Sequence, residues 1–218
     1  MHILNKLFSK VFLITINPPN ERVSYISEYF SKIELMYDLR VSINQKFFEV
    51  INDGQHEINS SEQSLTSAYS SILYECFYKK LKNIVILEDD NIFVDGFEEK
   101  FEIFYKNLPD KWDILHLGND PDMTDQPNEW IKLESINKYA AKVKLKYATN
   151  CTIFNTFDNY KIIADKIVSS RYQIDYVLND FFQNDSLIGY SPTEPLTRQL
   201  SSRQSHNTSE KRFKSLIR

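Results

Sequence analysis

Ile84-Val85-Ile86-Leu87-Glu88-Asp89-Asp90 runs from four branched aliphatic side chains straight into three consecutive carboxylates. The compact β run over 83–87 reads as a buried strand, because side chains that are apolar on both faces need cover from both sides. Three adjacent carboxylates at the carboxyl end of such a strand repel one another beside apolar neighbours, so their charge needs a stabilising partner. Mg²⁺ and Mn²⁺ are hard ions that prefer carboxylate, water and phosphate oxygens. An acidic strand end can hold one while leaving positions open for a diphosphate. The location agrees, since ligands of open α/β sheets bind in the crevice beyond the carboxyl ends of the strands. The plain alternative is that these acids cap the turn or extend into solvent.

Working upstream, Ser60 and Gln63 have capping-box spacing and open a helix that buries Leu65, Ala68, Tyr69, Ile72, Leu73 and Cys76 and runs through Leu81. The run 11–16 is apolar and β-branched, a strand stopped by Asn17-Pro18-Pro19. Asn20 then reads as the N-cap of a helix over 21–35, whose Val23, Ile26, Phe30 and Ile33 share one face. Leu39, Val41 and Ile43 alternate with Arg40 and Ser42, which predicts a half-exposed strand before a turn at Asn52-Asp53-Gly54. Downstream, Phe97, Phe101, Phe104 and Leu108 mark a helix closed by Pro109, and 112–117 repeats the strand signal up to Gly118-Asn119-Asp120. The acidic, Pro-containing stretch 121–130 reads as an exposed loop, placed as a lid would be. A strand over 143–155, a helix over 158–169 and a short helix over 174–182 beginning near Asp175 complete the alternation. This order predicts one α/β domain over 1–202, with a mostly parallel central sheet and helices on both faces, and a basic, Ser-containing tail over 203–218.

With 218 residues, 42% hydrophobic and 14% aromatic, the chain has apolar area for one substantial core and too little length for a second independent domain. A net charge of -4 gives no general attraction for phosphate backbones, which disfavours sequence-independent nucleic-acid binding. Cys76 and Cys151 have no metal-type spacing and no disulfide-framework pattern, and read as small buried apolar residues. With 4 glycines and neither a G-x-G-x-x-G nor a G-x-x-x-x-G-K pattern, any phosphate must be held by another device. The apolar run 11–14 is too short for a signal sequence or a membrane span, and the expectation is a cytoplasmic protein.

Several motifs occur in a telling order: Val11-Phe12-Leu13-Ile14-Thr15-Ile16 with Arg22 following, Leu65-Thr66-Ser67-Ala68-Tyr69-Ser70, Ile84 to Asp90, Asp113-Ile114-Leu115-His116-Leu117-Gly118, Ile174-Asp175, and the glutamine-containing 195–202. Together, over most of the chain, they resemble glycosyltransferase family 25, the group that includes lipooligosaccharide and collagen galactosyltransferases. The resemblance implies a GT-A fold and a metal-dependent hexosyltransferase that uses Mn²⁺ or Mg²⁺. It also implies a UDP-linked donor carrying galactose or glucose, and inversion at the anomeric carbon. By the same analogy the acceptor is a surface polysaccharide or lipooligosaccharide, as in lipopolysaccharide biosynthesis, with a protein hydroxyl next and a modified nucleic-acid base a distant third. Pro18 and Pro19 stand where the family has basic residues, and Ser71 where it has histidine. Two rival readings follow: a glycosyltransferase-shaped binding protein without turnover, and a metal-dependent phosphohydrolase using the same acidic cluster.

Within that frame Asp89 and Asp90 are the expected metal ligands. Asp90 would bind directly, and Glu88 or Asp89 would act through water or the donor's ribose. Thr15, Arg22, Ser70, Glu88 and Asp89 are the expected donor contacts. A guanidinium matches phosphate geometry, whereas Thr15 and Ser70 could equally satisfy local backbone groups. Asp175 is the expected general base, with helix capping as its alternative and Asp180 in reserve. His206 could add a metal or phosphate ligand, though it reads more simply as a tail residue. The expected partners are a nucleotide-sugar donor and a saccharide, lipid-linked saccharide or protein hydroxyl acceptor. No transmembrane segment is expected. The basic Arg203, Lys211, Arg212, Lys214 and Arg218 are available for an anionic acceptor or for peripheral membrane contact.

Overall fold

A strand that is apolar on both faces needs a layer of side chains above it and another below. The computed structural model of the chain describes residues 1–15, 21–44, 46–47, 60–119, 131–147, 149–170 and 172–199. In order these form α1 (Ile3–Leu7), β1 (Lys10–Thr15), α2 (Glu21–Lys32), β2 (Asp38–Val41), α3 (Ser60–Tyr78), β3 (Ile84–Glu88), β4 (Asn91–Phe93), α4 (Phe97–Lys106), β5 (Ile114–His116), β6 (Gly118–Asn119), β7 (Ile131–Ser135), β8 (Ala140–Lys146), β9 (Cys151–Phe154), α5 (Phe157–Ser169), α6 (Ile174–Gln183), β10 (Gly189–Pro192) and β11 (Thr197–Gln199). Eight strands make one sheet in the order β2-β1-β3-β9-β5-β10-β8-β7. β9 and β8 run against their neighbours and the other six strands point the same way, so the sheet is mostly parallel in strand direction.

The pleat of β3 sorts its side chains between two cores. Ile84 and Ile86 pack with Phe12, Ile72, Tyr160, Ile163 and Phe182 under α3, α5 and α6. Val85 and Leu87 pack with Leu13, Ile26, Phe30 and Phe101 under α1, α2 and α4. All four side chains are fully buried, each contributing roughly 1.5–3 kcal/mol of transfer free energy. Trimming one, as in Ile86→Ala, costs about 2–5 kcal/mol once the cavity left behind is included.

A second sheet, β4-β11-β6, has three strands. β4 starts immediately after the Asp89-Asp90 turn and β6 follows Leu117 directly, so this small sheet sits on the rim where β3 and β5 end.

Several boundaries differ from the sequence reading. The single strand expected over 143–155 is two strands, β8 and β9, with β5 and β10 lying between them in the sheet. The helix expected through 35 stops at Lys32, close to a left-handed backbone at Glu34 (φ 55°). The one expected through 81 stops at Tyr78, with Lys80 left-handed (φ 53°). Alternation along β2 holds, but its apolar side chains face out: Leu39 and Val41 are 44% and 46% exposed. Arg40 explains this inversion, because its guanidinium reaches Glu75 at 2.6 Å and lies over the Phe12 ring at 5.1 Å. Cys76 and Cys151 are buried free thiols, as expected. Among the described residues no helix is long and apolar enough to cross a membrane. Pro18, Pro19, Asn20, the 52–54 turn, the 121–130 loop, His206 and the 203–218 tail lie outside the described residues.

Candidate active site

The parallel strands β1 and β3 end side by side, with Ile14 opposite Glu88. Thr15 therefore stands next to the acidic turn, and its Oγ1 donates to Asp89 Oδ2 at 2.6 Å. Arg22, in the first turn of α2, brings its guanidinium to 3.5 Å from Asp89 and 3.8 Å from Asp90. Four expected donor or metal residues, Thr15, Arg22, Asp89 and Asp90, are thus one contiguous group. Glu88, Asp89 and Asp90 are only 9%, 5% and 7% exposed, which excludes acids extended into solvent.

Alternation turns Glu88 onto the face of Ile84 and Ile86, toward α3 and away from Thr15. There Thr149 Oγ1 donates to Glu88 Oε1 at 2.8 Å. The Tyr69 hydroxyl lies 3.2 Å from the same oxygen and 2.9 Å from the Thr149 carbonyl oxygen. Burial first, then the charges of Asp90 and Asp175, push the Glu88 carboxyl up to about 8 against these hydrogen bonds. Burial likewise holds the Tyr69 phenol well above its usual range, so it remains a neutral donor.

Asp175 is the second residue of α6, whose cap position is taken by Gln173, so it is not the N-cap residue. Its carboxylate sits in the first turn, at the positive end of the helix dipole. The Ile174 N–H donates to Thr66 Oγ1 at 3.3 Å and fixes the start of α6 against α3. The Asp175 charge bears on Glu88, Tyr69 and Tyr147, which puts it on the same rim. Asp180 is on the outer face instead, ion-paired to Lys166 at 3.0 Å. Ser70 donates to the Ser67 carbonyl oxygen one turn back, at 2.9 Å, and Ser71 is exposed.

Sequence reasoning missed two residues that hold this site, Tyr69 and Thr149. Tyr69 was legible only as part of a buried helix face, although a buried phenol needs a partner for its hydroxyl and could have been flagged on that ground. Nothing in the local sequence singles out Thr149. A polar cluster beneath the turn was missed too: Asn150 Nδ2 donates to Asn91 Oδ1 at 3.0 Å and lies 3.4 Å from Thr197 Oγ1, while the Glu88 N–H donates to Asn150 O at 3.0 Å. Gly118 makes this approach possible, since a Cβ there would fall 2.3 Å from Thr197 Oγ1. Near the same rim, Lys146 is fully buried and its Nζ reaches Ser191 Oγ at 2.5 Å and His116 O at 3.3 Å. Burial pushes Lys146 down to about 7, and burial with Lys146 nearby pushes His116 down to about 3.

The rim carries four carboxyl groups: Asp89 and Asp90 stand beside the Arg22 guanidinium, while Glu88, within reach of the Asp175 charge, is turned to the other face. Among the described residues no three His, Cys, Asp or Glu side chains converge as a ready-made metal centre. Asp89 and Asp90 offer hard oxygen atoms of the kind that could hold a divalent cation.

No protein-family model matches the chain, and no curated protein matches it in sequence. Solved structures do match in fold. One is the inositol-1-phosphate CTP transferase from T. maritima, with a TM-score of 0.52 at 14% identity over 96% of both chains. Another is a glycosyltransferase involved in glycosylation of the major capsid of PBCV-1, with a TM-score of 0.50 at 10% identity over 95% of this chain and 98% of that one. The fold is therefore the mixed α/β arrangement shared by GT-A glycosyltransferases and nucleotidyltransferases.

Proposed function

We propose that the chain is a metal-dependent, inverting glycosyltransferase of the family 25 type, moving galactose or glucose from a UDP-sugar to a hydroxyl of a saccharide, free or lipid-linked. The observation that carries this reading is the excess of buried carboxylate over guanidinium at the carboxyl rim of a GT-A-like sheet. Asp89 and Asp90 would hold Mn²⁺ or Mg²⁺, which when bound supplies positive charge to the diphosphate as it leaves. Arg22 would add a charge-assisted contact to the same phosphates. Thr15 holds Asp89 in orientation, and Tyr69 with Thr149 fixes Glu88 on the other side of the turn.

Asp175 is the base. Its carboxylate accepts the proton of the acceptor hydroxyl as that oxygen bonds to the anomeric carbon. The bond from that carbon to the diphosphate oxygen breaks, and its electron pair leaves with UDP. A single displacement of this kind inverts the anomeric centre. Calorimetry of UDP with Mn²⁺ and with chelator, followed by product analysis with UDP-galactose and UDP-glucose, tests the reading. The expected outcome is metal-dependent UDP binding and release of UDP. Equal UDP affinity in chelator would remove the metal's role. Release of pyrophosphate from a nucleoside triphosphate, or cleavage of simple phosphoesters without sugar transfer, would assign a different reaction.

A further inference from the structure

Next to Asp175 the fold leaves a row of tyrosines in water. Tyr147, in the connection from β8 to β9, meets Tyr176 edge-to-face with 5.1 Å between ring centroids, and Tyr176 stacks on Tyr172 at 6.0 Å and 30°. Tyr172 and Tyr176 are 47% and 40% exposed. They wall a groove of about 470 Å³ whose polar side is Lys166, Ser169, Ser170 and Asp180. That volume lies within the roughly 300–1,000 Å³ typical of small-ligand sites.

The chemistry of this groove narrows what fits. Among the described residues its cation and anion are paired with each other at 3.0 Å, which leaves neither of them free for a phosphate or a charged peptide. Its apolar surface is mainly aromatic ring, which presents a negative π face. A pyranose has the complementary shape and polarity, with a face of axial C–H groups that carry partial positive charge and a rim of hydroxyls for the serines and the ion pair. Tyr147 connects the groove to the rim, since its ring touches Tyr176 while the Asp175 charge reaches its hydroxyl.

We propose that Tyr147, Tyr176 and Tyr172 form the acceptor subsite, stacking the ring of a neutral saccharide so that its reactive hydroxyl is presented to Asp175. The proposal rests on the glycosyl-transfer reading above for the word acceptor, but the saccharide contact stands on its own geometry. Saturation-transfer NMR on the full chain, with lactose, maltose and cellobiose as probes, tests it directly. At least one disaccharide should receive saturation on its ring C–H protons. Binding should weaken about 2- to 10-fold in Tyr176→Ala and in Tyr172→Ala, and survive in Tyr176→Phe, which keeps the ring. UDP affinity in Mn²⁺ and melting temperature should be unchanged in all three variants, because these side chains stand on the surface.

No saturation of any disaccharide, or full retention of it in both alanine variants, would overturn the subsite. UDP binding and UDP-sugar hydrolysis without saccharide contact would leave the transferase reading intact and remove this inference alone. Tyrosine-dependent saccharide binding by a chain that neither binds UDP nor hydrolyses UDP-sugars would overturn the transfer reading, and the acceptor role with it.

Discussion

Replacing Lys146 by methionine should make the protein more stable at neutral pH, and the gain should vanish as the pH rises. The amine is buried with no carboxylate partner among the described residues and its pKa is pushed down by burial to about 7 in the folded chain against 10.5 when exposed. Because the folded pKa of this base is depressed, the unfolded chain binds more protons between these two values, and stability rises with pH across that window. The penalty is fully present below about pH 7, shrinks by about 1.4 kcal/mol per pH unit above it and is gone beyond about 10.5. The whole interval corresponds to roughly 5 kcal/mol. Methionine has a similar length and carries no charge, so it escapes this term. It gives up the contacts to Ser191 Oγ and His116 O, about 1–3 kcal/mol together, although Ser191 Oγ keeps a contact to Pro192 O at 3.3 Å. The net expectation is a variant about 2–4 kcal/mol more stable at pH 7 and no more stable than the parent at pH 10. Urea unfolding of both proteins at pH 6, 7, 8, 9 and 10 reads the difference, in which titrating groups that do not feel the Lys146 charge cancel. A difference independent of pH between 7 and 10 would refute the reasoning, since it would mean that Lys146 keeps its proton in the folded state.

Three further outcomes are expected. Asp175→Asn should lower sugar transfer by about 10²-fold or more while leaving UDP-sugar affinity and melting temperature nearly unchanged, because Gln173 holds the cap position. Steady-state rates and calorimetry on one preparation decide this, and normal turnover would move the base elsewhere. Tyr69→Phe should cost about 0.5–1.5 kcal/mol in urea unfolding, since it removes the phenol donor 2.9 Å from Thr149 O, which keeps the Thr152 hydroxyl at 3.1 Å; an unchanged midpoint would mean that the phenol contributes nothing. Gly118→Ala should destabilise by at least about 1–3 kcal/mol, because its methyl would stand 2.3 Å from Thr197 Oγ1 and 2.6 Å from Asn150 Oδ1. A wild-type melting curve for that variant would mean that the polar cluster repacks freely.

What was legible in the sequence is what local pattern encodes. The unbroken aliphatic run of β3 announces a strand covered on both faces, and the carboxylates that end it fall on the turn where they were expected. Thr15 and Arg22 join them because β1 and β3 are parallel neighbours, which the strand-helix order of the sequence already favours. What was not legible is set by distant partners. The Tyr69 hydroxyl finds Thr149 and Glu88 from the far side of the core, and a helix-face pattern records only that the ring is buried. Along β2, period-two alternation was correct, yet no local rule could anticipate that Arg40 would turn inward to Glu75 and Phe12 and leave Leu39 and Val41 outside. The run 143–155 reads as continuous because its interruption, around Thr149 and Asn150, is made of residues whose role lies in contacts to Glu88, Asn91 and Thr197.

The position of β9 between β3 and β5 also fixes when the site can exist during synthesis. On one side β3 has β1, which has already emerged. On the other side Ile84 pairs with Phe154 and Leu87 with Cys151, so that edge waits until the chain has been extended past residue 154. Until then a strand with no charge before Glu88 presents an open row of backbone donors and acceptors, the kind of edge on which nascent chains associate. Thr149 arrives with the same segment, and α6, bearing Asp175, follows it. The carboxylate rim is thus completed late, after this reversed strand has joined β3 to β5 and α6 has followed it. Substitutions that slow that closure would reduce the yield of folded protein before they altered any property of the finished site.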